Sequence, residues 1–265
     1  MTQQQEKKHY IHIEEQKIAV KTAAILGGRL NLHHLYDGFQ TSIDSILLAA
    51  ACPIHPGQSL LDLGCGVGSA GLSVACRVAD ITLTGIDIQP NAIALARHNA
   101  TCNTIDQTSF QAQNIATYKE QNSVDHVICN PPYLPAGAHL RSPSASKATA
   151  MGFDQEMDLD IWIKTAHRAL KNSGSFTMIH RADQLDTILR LYNRRFGAIE
   201  IFPIHPYGDQ PAKRIIIRAL KNRKTPLTLH APLILHESKQ NTDGTRHYTK
   251  QAESILRDMS AIYSG

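Results

Sequence analysis

The stretch Val124–Gly137 reads VDHVICNPPYLPAG, an apolar run that ends in Asn130, Pro131, Pro132 and Tyr133. Proline has no N–H for a strand ladder and fixes its own φ, so the run must stop there. It also holds the preceding residue in extended backbone, which stiffens Asn130 and Pro131. The result is a rigid elbow at a strand end, bearing a carboxamide and an aromatic ring. Upstream, LLDLGCGVGSAG sets Gly64, Gly66 and Gly68 after one strand and at the mouth of a helix. Small residues there let the backbone approach a ligand closely, and the helix start offers free N–H groups. Asp62 precedes these glycines, and Asp87 ends the next strand in TGIDIQP. A carboxylate at that place can take both hydroxyls of a ribose. Either feature alone reads as an ordinary turn; together they indicate a nucleoside-cofactor site beside a rigid polar elbow.

The run D-L-G-C-G-V-G, followed by a strand-end acid, resembles the S-adenosylmethionine (SAM) site of class I methyltransferases. The NAD pattern differs, because its first glycine lacks the Asp-x-Gly lead. The resemblance implies an α/β, Rossmann-like fold: a seven-stranded, mostly parallel sheet with helices on both faces and an antiparallel last strand. It places Asp62 near the amino-acid end of the cofactor and lines the cofactor with the backbone of Gly64, Cys65, Gly66 and Gly68. Asp87 would hold the ribose, with Ile88 beside it in the same site. Asn114, ending the third strand, falls where relatives often carry Asp beside the adenine amine. A carboxamide oxygen can accept the same hydrogen bond without the charge.

N-P-P-Y in turn resembles the motif of methyltransferases that modify a planar, conjugated –NH₂ group. Such an amine is a poor nucleophile because its lone pair is delocalised. The Asn130 side-chain oxygen and the Pro131 carbonyl can each accept one of its hydrogens, holding the nitrogen in line as the transition state develops. Pro132 keeps the pair rigid, and Tyr133 can stack on a flat target. Adenine N6 and the carboxamide of glutamine both satisfy this description. GFQTSIDSILLAA and HYTKQAESILRDM resemble the bacterial tRNA(Val) adenine-N6 methyltransferases, which implies an RNA substrate, tRNA in particular. Within that resemblance Thr41 and Asp44 fall where residues cover the cofactor; an N-cap threonine and an exposed helical acid are the alternatives. Release-factor glutamine N5-methylation, rRNA guanine-N2 methylation, DNA adenine methylation and a non-catalytic binding module stay open as rivals.

Alternating strands and helices must position these residues. TSIDSILLAAACPIHPG predicts a helix capped by Thr41 or Ser42 and ended by Pro53. Strands are expected at Gln58–Leu63, ITLTGID, TSFQAQN and VDHVICN, with a helix at QPNAIALARHNATCN between the second and third. Beyond the elbow, Ala136 to Phe153 reads as a long binding loop carrying Arg141 and Lys147. A helix over Glu156–Lys171, a strand at GSFTMIH, a helix over Leu185–Arg195 and strands at AIEIFPIH and KRIIIRAL follow. PLTLHAPLILHE suggests more strand, and the chain closes on an amphipathic helix in YTKQAESILRDMSAIY. Residues 1–40, with the turn-rich ILGGRLNLHHLYDGFQ, are expected to be an extension packed on a catalytic domain of residues 41–265, one domain overall.

Composition sets looser bounds. The 265 residues carry a net charge of +4, a mild bias toward an anionic partner. Arg194, Arg195, Lys213, Arg214, Arg218, Lys221, Arg223 and Lys224 are candidates to track an RNA backbone, with a solvated polar face as the alternative. The five cysteines form no C-x-x-C pair and the fourteen histidines no H-E-x-x-H, so no metal is expected. His33 and His34 read as surface or loop residues. The start MTQQQEKKHY lacks an apolar segment, which points to the cytoplasm.

Overall fold

A computed structural model describes residues 9–13, 16–38, 41–133, 159–192, 195–237 and 247–262. The loop with Arg141 and Lys147, and Arg194, lie outside them.

The central sheet is built from β4 (Ser59–Leu63), β5 (Thr82–Asp87), β6 (Thr108–Ala112), β7 (Val124–Cys129), β8 (Leu170–Arg181), β9 (Phe196–His205) and β10 (Arg214–Lys221). Their spatial order is β6-β5-β4-β7-β8-β10-β9. From β6 to β8 every pairing is parallel, while β10 runs antiparallel to both neighbours. The chain moves outward from β4 through β5 to β6, then returns to place β7 on the other side of β4. Ligands of open α/β sheets bind where the strand order reverses in this way, at the carboxyl ends of the strands. Two further strands of two residues each, β11 (Thr228–Leu229) and β12 (Leu233–Ile234), pair parallel to β9. Among the described residues they extend the expected seven strands to nine.

Strand residues alternate between two cores, as the period of two requires. Leu60, Leu83, Ile179 and Ile216 face one core, with helices α1 (Ile43–Ala51), α2 (Ser69–Arg77), α3 (Pro90–Cys102) and α6 (Lys250–Asp258). Leu61, Leu63, Phe176, Met178, Ile215 and Ile217 face the other, with α4 (Leu159–Ala169) and α5 (Leu185–Tyr192). No helix among the described residues is long and apolar enough to cross a membrane.

Two segments depart from the sequence reading. The helix expected through Lys171 ends at Ala169, and β8 begins at once with Leu170. A register shift between Val124 and His126, with Ser173 at φ 63, marks the irregularity that turns helix directly into strand. The N-terminal segment is not turns but an antiparallel sheet of β1 (His9–Ile13), β2 (Gln16–Ile25) and β3 (Leu30–Leu35). In β3 the inward set is Leu30, Leu32 and His34, so a histidine interrupts the apolar alternation that would have marked the strand. Asn99 and Asn103 of α3 bind β3 as a neighbouring strand would. Asn103 accepts from Asn31 N at 2.8 Å and donates to Asn31 O at 2.7 Å. Asn99 does the same for His33 at 2.8 and 3.0 Å.

Candidate active site

The glycine-rich turn leaves β4 and enters α2 at the point where the strand order reverses. Gly64 has φ 65, and a Cβ there would lie 2.5 Å from Trp162 Cη2, so only glycine fits. Gly66, at φ 54, would direct a Cβ into open space, with nothing within 4 Å. The backbone is therefore bare toward solvent at the centre of the turn. Gly68 precedes α2 and has no side chain to cap it. Asp62, 2% exposed, does this from β4: its Oδ2 accepts from Gly71 N at 2.9 Å. Burial pushes the Asp62 carboxyl up to about 7, against the Gly71 hydrogen bond and with the charge of Asp87 adding to the rise.

Asp87 is buried at the end of β5 and grips the same turn. Its Oδ2 accepts from Gly66 N and its Oδ1 from Gln89 N, both at 2.9 Å. Burial raises its pKa, opposed by these backbone N–H groups. Each carboxylate oxygen accepts one of these N–H groups, and carboxylate oxygens have capacity for a second donor. Ile88, next along, is 43% exposed. Bare backbone at Gly66, a carboxylate with spare acceptor capacity and an exposed apolar side chain fit a nucleoside-bearing group. Cys65 contributes backbone only: its N–H donates to Ile86 O at 3.0 Å, and its thiol is buried. Asn114 stands two residues past the end of β6 rather than at it. Its Oδ1 already accepts from Ala116 N at 2.9 Å, capping a short 3-10 turn, so one acceptor site is taken.

The elbow stands at the end of β7, one strand across from β4. Asn130 is half-buried, and its carboxamide has no hydrogen-bond partner among the described residues. Pro131 is buried, and Pro132 and Tyr133 are half-buried. Tyr133 is held at both ends. Its ring meets His180 edge-on at 5.2 Å, and its hydroxyl donates to Asp44 Oδ2 at 3.0 Å. Burial raises the Tyr133 pKa, with the charge of Asp44 adding to it. Burial likewise lowers His180, to about 4, so this ring is a neutral wall at neutral pH.

Asp44 is thus no exposed helical acid. It is 3% exposed and forms an ion pair with Arg214 Nε at 2.5 Å, joining α1, the elbow and β10. Thr41 caps no helix either. Its Oγ1 lies 2.6 Å from Ser69 Oγ at the first turn of α2 and 3.1 Å from His34 Nε2. Ser42 occupies the N-cap of α1 without a side-chain bond.

Most of the basic candidates prove to be committed internally. Arg195 pairs with Asp160, Arg214 with Asp44 and Arg218 with Glu200. Lys221 is buried, donating to Asn122 Oδ1 and Leu170 O. Lys213, Arg223 and Lys224 remain exposed. Lys213 precedes β10 at the edge where β7 and β8 end; Arg223 and Lys224 follow β10 at the opposite edge. Sequence reasoning missed Ser69, Trp162, His180 and the tie of Arg214 to Asp44. Of these, only Ser69 had a local signal, as the first residue of α2 after the glycines.

A sheet of this order, with a glycine turn after its first strand and a strand-end acid after its second, defines a class I SAM-dependent methyltransferase. Residues 54–221 match the methyltransferase domain family, and the chain belongs to it. SAM is its cofactor. The tRNA1(Val) (adenine(37)-N6)-methyltransferase of Vibrio vulnificus is 31% identical over 181 residues, 68% of this chain and 74% of that relative. The Vibrio campbellii enzyme of the same description is 23% identical over 234 residues, 88% of this chain and 96% of its own length. Among solved structures, a predicted O-methyltransferase from Agrobacterium tumefaciens, Atu636, superposes with a TM-score of 0.67 at 24% identity, over 83% of this chain and 98% of that one. That likeness shows the shared fold.

Proposed function

We propose that the enzyme methylates the exocyclic N6 amine of an unpaired adenine in structured RNA, tRNA above all, in the cytoplasm. The observation that carries the reading is the Asn130 carboxamide: without a hydrogen-bond partner among the described residues, on a proline elbow at the end of a strand that pairs with β4, beside a tethered aromatic ring. Bound SAM supplies a methyl group on a sulfonium. Asn130 Oδ1 and the Pro131 carbonyl accept the two amine hydrogens, which draws the nitrogen lone pair out of the ring and toward the methyl. Tyr133 offers its face to the base, since its hydroxyl is occupied elsewhere. The neutralised sulfonium leaves an acidic ammonium product whose proton passes to water, so no general base is required. An unpaired base suits such a site because no duplex need be opened. Asp87 holds the ribose, Asp62 and the Gly64–Gly68 backbone face the amino-acid end, and Ile88 and Asn114 flank the adenine. Residues 1–40 act as an extension of a single catalytic domain.

The names of the Vibrio relatives support the choice of adenine in tRNA. The test is incubation with unmodified tRNA, rRNA, duplex DNA and a release factor in parallel, followed by digestion and mass spectrometry. N6-methyladenosine in tRNA is expected. Methyl groups on glutamine of the release factor, with none in RNA, would overturn the reading.

A further inference from the structure

Away from this site, three donors meet at the seam between β3 and α3. His98 and Cys102 lie four residues apart on α3, with Nε2 and Sγ 3.3 Å apart. His33 reaches across from β3, its ring edge-on to that of His98 at 4.9 Å between centroids. One donor atom from each of the three falls within 4.8 Å of the others. His33 Nδ1 is buried and has no hydrogen-bond partner. Its backbone is fixed in place by both arms of Asn99, so the ring cannot drift far from α3.

We propose that His33, His98 and Cys102 form a binding site for a thiophilic divalent cation of the zinc type, with water completing the shell. Zn–N distances of about 2.0–2.1 Å and Zn–S distances of about 2.3 Å put neighbouring donors of a tetrahedron roughly 3.3–3.6 Å apart. The His98–Cys102 pair has this spacing already, and a ring shift of roughly an ångström brings His33 to it. One thiolate and two imidazoles select zinc or copper over magnesium or calcium, which prefer oxygen. Cys102 is exposed, so the cation enters from solvent. No spacing rule finds this set, because one ligand comes from a strand far upstream of the helical pair. The bound cation clips the N-terminal sheet to α3. It does so next to Asn99, which also donates to Val67 O in the glycine turn at 3.0 Å.

The experiment is titration of untagged, full-length protein with Co²⁺ and then Zn²⁺ under a non-chelating reductant. One Co²⁺ per chain should produce the absorption of a tetrahedral ion with a thiolate-to-cobalt band, and Zn²⁺ should displace it and raise the melting temperature. Loss of second-shell partners alone costs about 10–100-fold in affinity, so Cys102→Ser and His98→Gln should each weaken binding at least tenfold. Cys102→Ser should also abolish the thiolate band while leaving the melting temperature of metal-free protein near wild type. Absence of the band, its persistence in folded Cys102→Ser, or equal Zn²⁺ affinity in wild type and both variants would overturn the site.

Discussion

The two halves of the candidate active site hold their carboxylates in opposite ways. On the proposed cofactor side, Asp62 and Asp87 are bound by backbone N–H groups of the turn and of the helix starts beside it. On the elbow side, Asp44 is bound by side chains alone, Tyr133 from the elbow and Arg214 from β10. The first arrangement is local: β4, the turn and β5 build it almost by themselves. The second exists only when α1, β7 and β10 have all docked. A backbone donor is removed only by proline, whereas each member of the Asp44 set can be replaced by many residues.

The largest effect should therefore come from the elbow side. Arg214→Met leaves Asp44 buried with Tyr133 as its one partner. Removing one member of a buried ion pair costs about 3–5 kcal/mol, and about 3 is expected because Arg214 is itself partly exposed. A denaturant midpoint lowered accordingly, and largely restored by adding Asp44→Leu, would show that the cost is the orphaned carboxylate. A midpoint unmoved by Arg214→Met would break the contrast between the halves.

Next in size is Asn130→Ala, which should lower kcat about 100-fold while SAM affinity stays within about twofold, on the scale of one preorganised polar contact. Single-turnover rates with saturating tRNA measure this directly. A rate within a few-fold of wild type would move the catalytic contact off the elbow.

The same contrast explains what could be read from the chain alone. Gly64, Gly66, Asp62 and Asp87 announce themselves because strand, turn and helix are adjacent in sequence, and the positive φ angles demand glycine. Asn130 to Tyr133 do so because two prolines leave the backbone few choices. Asp44 has a place over the cofactor by resemblance alone and Arg214 reads as a candidate for RNA backbone, because nothing local records that they meet. Lys221 misled for the same reason: a lysine ending an apolar strand reads as exposed, yet its amine is buried against Leu170 O. His34 hid β3 by standing where a leucine would have kept the alternation.

On the cofactor side, Asp87→Ala should weaken SAM at least tenfold, since a hydrogen bond to a charged group is worth about 1.5–3 kcal/mol. Asp87→Asn should lose less, because its carboxamide oxygen can still accept from the Gly66 N–H. Calorimetry on both variants sharpens the comparison. Equal losses would mean that the charge matters more than the turn it braces.

The smallest effect concerns Lys213, the one exposed candidate cation among the described residues on the edge that carries the elbow. Lys213 precedes β10 beside the carboxyl ends of β7 and β8, while Arg223 stands exposed at the far edge of the same strand. If RNA lies across the edge that carries Asn130, Lys213 meets phosphate and Arg223 does not. A single phosphate contact contributes about 0.9 to the slope of log K against log salt for duplex-like regions, and about 0.7 for single strands. Lys213→Ala should therefore flatten the salt dependence of tRNA binding by roughly that amount. It should weaken binding only a few-fold at physiological salt, and leave kcat at saturating RNA unchanged. Arg223→Ala should match wild type in both respects. Filter binding at four or five salt concentrations separates the two variants. Matching slopes for Lys213→Ala and wild type, with a flattened slope for Arg223→Ala, would place the RNA on the opposite edge and detach it from the elbow.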